Sequence, residues 1–151
     1  IEKIANGSLF YDFDILAEKK VNLRDLNQDV IPILLEEEWV EKVYTREQLS
    51  SDEPIDYDGQ LLKNQFHPKW SGDLFPVSKE YYVLRGSVGT THGTPYDYDT
   101  HVPLFFSGNN FDNRVIQDSL ETVDIAPTIA DILGIQLDGV DGRVLELGES
   151  N

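Results

Sequence analysis

Residues 102–134 read VPLFFSGNNFDNRVIQDSLETVDIAPTIADILG, and this stretch decides the fold class. Val102 to Phe106 is a short apolar run bounded by turn-forming residues, the pattern of a buried strand. Asp124 to Leu133 predicts a helix. Asp124 stands at the N-cap position, and Pro127 falls in the first turn, where a missing N–H costs little. Ile125, Ile129, Ile132 and Leu133 form its apolar stripe. Gly134 follows where a left-handed cap is wanted. Arg114 to Gln117 reads as a further short strand. The order strand, then helix, is the signature of an α/β protein.

The same alternation extends upstream. Ser8 to Glu18 alternates apolar and polar, with Leu9, Tyr11, Phe13 and Ile15 on one face, and predicts a strand. Asn6-Gly7-Ser8 matches a glycosylation sequon but reads better as a turn. Asn22 to Val40 predicts a helix capped by Asn22, with Leu23, Leu26, Val30, Ile33 and Leu34 inward and a kink or split at Pro32. Trp39 to Thr45 predicts a strand, Arg46 to Pro54 a turn or short helix, and Asp56 to His67 a helix that faces Leu61, Leu62 and Phe66 to the core. His67-Pro68 ends that helix, because the residue before proline avoids helical geometry. Asp73 to Arg85 reads as a strand or hairpin in which Pro76 argues against an uninterrupted central strand. The tail, Asp138 to Leu147, reads as turns around a docking segment. A soft boundary near Lys69 divides a βαβα-like subdomain, residues 1–68, from residues 69–151, which belong to a larger sheet.

Composition narrows the function classes. The 151 residues are 40% hydrophobic, which indicates a folded chain with a real core. With 28 acidic against 12 basic residues the net charge is −16, so nucleic acid and anionic membranes are poor partners. No apolar run reaches the roughly eighteen residues of a membrane span. The absence of cysteine removes disulfides and thiolate metal sites. The chain opens Ile1-Glu2-Lys3-Ile4 without an initiator Met, so its N-terminus is expected to lie elsewhere.

Residues 86–100, GSVGTTHGTPYDYDT, form a long loop rich in glycine, threonine and tyrosine, a kind of loop that often carries function. His92 sits among small residues at its centre, where a neutral imidazole would be open to a metal. The same residue also reads as an ordinary surface histidine. His101, at the entrance of the apolar run, and His67, before Pro68, read as structural. Asp97 and Asp99 admit a ligand role but fit turns and caps better. Zinc takes roughly three or four protein ligands, so one good histidine is not a self-contained site. No GxGxxG, P-loop, GxSxG or HExxH pattern is present.

Gly89 to Gly108 (GTTHGTPYDYDTHVPLFFSG), then Val123 to Ile135 (VDIAPTIADILGI), then Asp141 to Leu145 (DGRVL) occur in an order that resembles the C-terminal region of bacterial alkaline phosphatases of the PafA type. These stand close to the type I phosphodiesterase and nucleotide pyrophosphatase branch of the alkaline phosphatase superfamily. Phe66 to Asp73 (FHPKWSGD) and the upstream elements extend the resemblance over essentially the whole chain. The resemblance implies a doubly wound α/β fold, a small α+β subdomain on the N-terminal side, and a catalytic pair of zinc ions acting on phosphate monoesters through a threonine nucleophile. It makes His92 a zinc ligand and leaves His101 as a supporting residue. It also implies that the nucleophile, its aspartate partner and the Asp-x-x-x-His and Asp-His-Gly ligands lie upstream, so no catalytic residue is expected here and the chain by itself should be inactive. The remaining half of the enzyme is then the expected partner, and the periplasm or the exterior the expected location. Hydrolysis of diesters or nucleotide pyrophosphates on the same scaffold, or a non-catalytic α/β module, are the alternatives.

Overall fold

The computed structural model describes residues 1–5, 7–83, 92–108, 111 and 113–147. The chain separates into two compact units, Ile1–Val102 and Pro103–Asn151, and each is described by itself. Lys69, near which the sequence suggested a boundary, lies inside the first.

The first unit is built on an antiparallel sheet of order β1-β2-β4-β3. Strands β1 (Lys3–Ala5) and β2 (Ser8–Phe10) form a tight hairpin in which Ala5 stands opposite Ser8. The strand expected over residues 8–18 stops early. Asp12 accepts a hydrogen bond from the Ile15 amide at 3.0 Å and starts helix α1 (Phe13–Glu18). The local cap overrode the alternating pattern, and Phe13 and Ile15 are exposed as a result.

Helix α2 (Leu23–Leu35) begins as predicted. The Asn22 side chain accepts from the Arg24 amide at 2.8 Å. Pro32 does not split it. Leu23, Leu26, Val30, Ile31 and Leu34 pack on the buried cluster Leu9, Tyr11 and Leu74. Ile33, expected inward, points out and is exposed, because residues 26, 30 and 34 already define the inner stripe.

Strand β3 (Val40–Thr45) leads directly into helix α3 (Arg46–Ser50), which opens with a capping box of Thr45 and Gln48. Helix α4 (Tyr57–Gln65) is capped by Asp56. Its Leu62, with Phe66 just beyond, packs on a second cluster of Tyr44, Leu49 and Val77.

Strand β4 (Leu74–Ser78) contains Pro76 and still lies between β2 and β3. It meets β2 only at Leu9↔Leu74 but runs beside β3 from Leu74 to Ser78. The Lys79 amide donates to the Trp39 carbonyl, so by alternation the amide direction of residue 76 turns away from β3. Beyond Leu74 that side has no ladder partner among the described residues, so the missing N–H breaks no pairing there.

Asp56 ties α4 to β3. It accepts from the Tyr44 hydroxyl at 2.5 Å and the Lys42 ammonium at 2.9 Å, and these bonds hold its carboxyl down to about 2. A depressed carboxylate stabilises the fold fully above its unfolded value of about 3.9, and that stability is lost as pH falls toward 2. Asp56→Asn should therefore flatten the acid limb of a stability–pH curve between about pH 4 and 2, read from thermal melts. An unchanged limb would assign the acid sensitivity elsewhere.

The first unit ends with the short helix α5 (Asp97–Thr100), and in the second unit a 3-10 turn (Thr122–Asp124) precedes helix α6 (Ile125–Ile132). Asp124 was expected to cap this helix and does not. It already has helical backbone angles, and its carboxylate accepts instead from the Glu121 amide at 3.0 Å and the Arg143 amide at 2.9 Å. These two amides, Arg143 first, hold its pKa below the usual carboxylate range. The C-terminus matches expectation. Gly134 at φ +65° lets the Ile135 amide reach the Ala130 carbonyl and its own amide reach Asp131, a Schellman closure.

The tail docks on this helix through hydrogen bonds. The Thr128 hydroxyl, 1% exposed, donates to the Asp124 carbonyl at 2.6 Å and accepts from the Leu145 amide at 3.0 Å. The expected isoleucine stripe is therefore not the covered face, and Ile129, Ile132 and Leu133 are exposed. Nor is Val102–Phe106 a buried strand. Among the described residues it joins no sheet, and Phe105 is 83% exposed. Residues 114–117 likewise form no strand. The α/β class holds, with every described strand pairing antiparallel. No described helix is long and apolar enough to cross a membrane.

Candidate functional site

The candidate loop divides at the limit of what is described. Residues 84–91, including Gly89 to Thr91 of the GTTHG motif, lie outside the described residues, and His92 onward lies within them. His92 is exposed. Next to it Gly93 takes φ +105°, a backbone conformation that a β-carbon disfavours.

The chain then enters helix α5 (Asp97–Thr100). Asp99 on this helix reaches back to the loop. Its Oδ2 accepts from the Thr94 amide at 2.8 Å and from the Thr94 hydroxyl at 2.7 Å. The hydroxyl, then the amide, hold the Asp99 carboxyl below the ordinary carboxylate range, with the Gly93 amide and the charge of His92 adding to the effect. Hydrogen bonds donated to a carboxylate favour its anionic form.

The tyrosines on either side fasten α5 to the sheet. The Tyr96 hydroxyl donates to the Ser78 carbonyl at the end of β4, at 2.8 Å. The Tyr81 amide donates to the Tyr98 hydroxyl at 3.1 Å, and the two rings stack with centroids 5.2 Å apart. Tyr81 holds a left-handed φ of +65°, uncommon for an aromatic residue. The loop bearing His92 thus rests on a short helix that is itself pinned to β4.

The other candidates fall elsewhere. His101 is exposed and closes α5, donating its amide to the Asp97 carbonyl at 2.8 Å. Asp97 and His101 carry the Asp-x-x-x-His spacing, which the resemblance placed only upstream. His67 belongs to the turn after α4, where its Nδ1 accepts from the Lys69 amide at 3.1 Å. Arg46 organises that turn by donating to the carbonyls of Pro68, at 2.6 Å, and Ser71. Among the described residues, no three histidine or carboxylate side chains gather as a metal site. His92 therefore fits a metal as one ligand contributed to a site, and the described residues do not complete one. The sequence reading missed Thr94, because nothing in its spacing marks it as the partner of Asp99.

No family model matches the chain. Individual proteins do. Sequence and fold agree that the chain belongs to the alkaline phosphatase superfamily, as a PafA-type segment. It is 33% identical over 135 residues to alkaline phosphatase PafA of Elizabethkingia meningoseptica, covering 87% of this chain and 24% of that protein. It is 28% identical over 156 residues to alkaline phosphatase PhoK of a Sphingomonas species, covering 94% of this chain and 27% of that one. The crystal structure of wild-type alkaline phosphatase PafA matches with a TM-score of 0.83 and 28% identity, over 97% of this chain and 29% of its own. The chain thus spans about a quarter of the length of the curated relatives it matches.

Proposed function

We propose that this chain is the C-terminal segment of a zinc-dependent alkaline phosphatase that hydrolyses phosphate monoesters through a phosphothreonine intermediate. The observation that carries the reading is the match to PafA along nearly the whole chain, at a TM-score of 0.83. In this reading His92 contributes one imidazole to a zinc pair. The threonine nucleophile and the remaining ligands lie in the rest of the enzyme, which is this chain's partner. Residues 69–151 form part of its core domain. Bound zinc would supply positive charge for the phosphoryl oxygens in a segment whose own net charge is −16. The relatives' printed names and the solvent exposure of His92 support the assignment. Action in the periplasm or outside the cell belongs to the same reading.

The test is a pair of rates. The polypeptide carrying this chain, purified with zinc, should hydrolyse an aryl phosphate monoester well ahead of the corresponding aryl diester. Chelation should abolish the reaction and zinc should restore it. Faster diester hydrolysis would move the assignment to the phosphodiesterase branch. Monoester hydrolysis that survives chelation would remove the metal from it.

A further inference from the structure

We propose that Asp99 is a positioning residue for His92, acting through Thr94 to hold the loop at the angle from which the imidazole meets a metal. The inference rests on the reading of His92 as a ligand and extends it to residues that contact no metal. Three observations carry it. Asp99 spends one carboxylate oxygen on both the amide and the hydroxyl of Thr94, two residues past His92. Gly93 between them takes the left-handed turn that sets the exit direction of the loop. Asp99 does not float, because α5 is pinned to β4 by the Tyr96 hydroxyl on Ser78 and by the Tyr81–Tyr98 stack. The result is a continuous link from sheet to helix, carboxylate, threonine and histidine. Outer partners of metal ligands act in this way, fixing the approach of the ligand, and their loss typically weakens metal binding by about 10- to 100-fold.

The experiment uses the complete polypeptide that carries this chain. Zinc affinity is measured by competition with a chromophoric chelator, and amide hydrogen exchange is followed across residues 92–99. In Asp99→Ala and Thr94→Val, zinc should bind about 10- to 100-fold more weakly and exchange at Gly93 and Thr94 should quicken. Thr94→Ser, which keeps the hydroxyl, should stay near wild type. A zinc affinity unchanged in both Asp99→Ala and Thr94→Val would overturn the proposal. So would equal weakening in Thr94→Ser and Thr94→Val, since the hydroxyl would then not matter. Thr94→Val keeps the comparison meaningful if Asp99→Ala folds poorly. A wild-type polypeptide that takes up no zinc overturns the ligand reading itself. That failure shows before any variant is made, and so is distinct from a failure of the link.

Discussion

His92→Ala should lower kcat/KM of the phosphatase for an aryl phosphate by on the order of a thousandfold, about 4 kcal/mol of transition-state stabilisation. On the proposed reading, a zinc ion would help bind the phosphoryl group and stabilise charge that grows in the transition state, so loss of a ligand would act on both binding and chemistry. Zinc content, measured beside the rates, should fall with the activity. His101→Ala is the matched control. That side chain sits at the other end of α5, and the helix is closed there by its amide, which the substitution keeps. Activity and zinc content in that variant should stay within about threefold of wild type, under half the effect of the His92 change on a logarithmic scale. Equal losses in the two variants would show that α5 as a whole, and not His92, is what matters.

Asp73→Ala should be the most damaging single change to the first unit, costing about 3 kcal/mol and lowering its melting temperature by on the order of 15 °C. Asp73 is 3% exposed. Its carboxylate accepts from the Tyr11 amide at 2.8 Å and from Arg46 Nε at 2.7 Å. Its backbone amide donates to Leu9 and its carbonyl accepts from the Arg46 amide. Three elements meet on this residue: the end of β2, the start of α3 and the turn before β4. Alanine would leave a buried amide unpaired and a guanidinium without its counter-charge. Asp73→Asn keeps an acceptor and should recover part of the loss. Circular dichroism melts of the three proteins would decide it. A drop in Asp73→Ala of only a few degrees would mean that Arg46 finds a sufficient substitute in the Pro68 and Ser71 carbonyls.

How far the sequence was readable depended on whether the deciding interaction was local. The helix over residues 23–35 and the one over 57–65 were legible, because Asn22 and Asp56 cap within three residues of themselves. So was the left-handed close at Gly134, a property of backbone sterics alone. The strand expected over 8–18 failed because alternation there was weaker evidence than one aspartate able to cap a helix. Asp124 was misread for the reverse reason. Its carboxylate accepts from the amide of Arg143, 19 residues away, and no local pattern announces such a donor. The apolar runs at 102–106 and along α6 were read as buried, whereas Val102, Phe105, Ile129, Ile132 and Leu133 are exposed. Their second unit offers few partners among its described residues, and the segment spans only about a quarter of its relatives. At the site, the small neighbours of His92 and the motif drew the eye to the loop, whereas the Thr94–Asp99 contact depends on how residues 95–98 lead into α5, which no sequence pattern marked.

The position of β4 has a consequence for the order of events in folding. Among the described residues it is the last strand of the first unit in chain order, yet it is the strand that joins β2 to β3. Among the described residues, the β1–β2 hairpin and β3 have no strand pairing with one another except through β4. Closing the sheet then requires pairing Leu74 with Leu9, across 65 positions of chain, so the entropic cost of a long loop is met before the ladder rewards it. Formation of the first unit should therefore be slow and all-or-none, with a nascent chain that is vulnerable to edge-to-edge association until its final strand arrives.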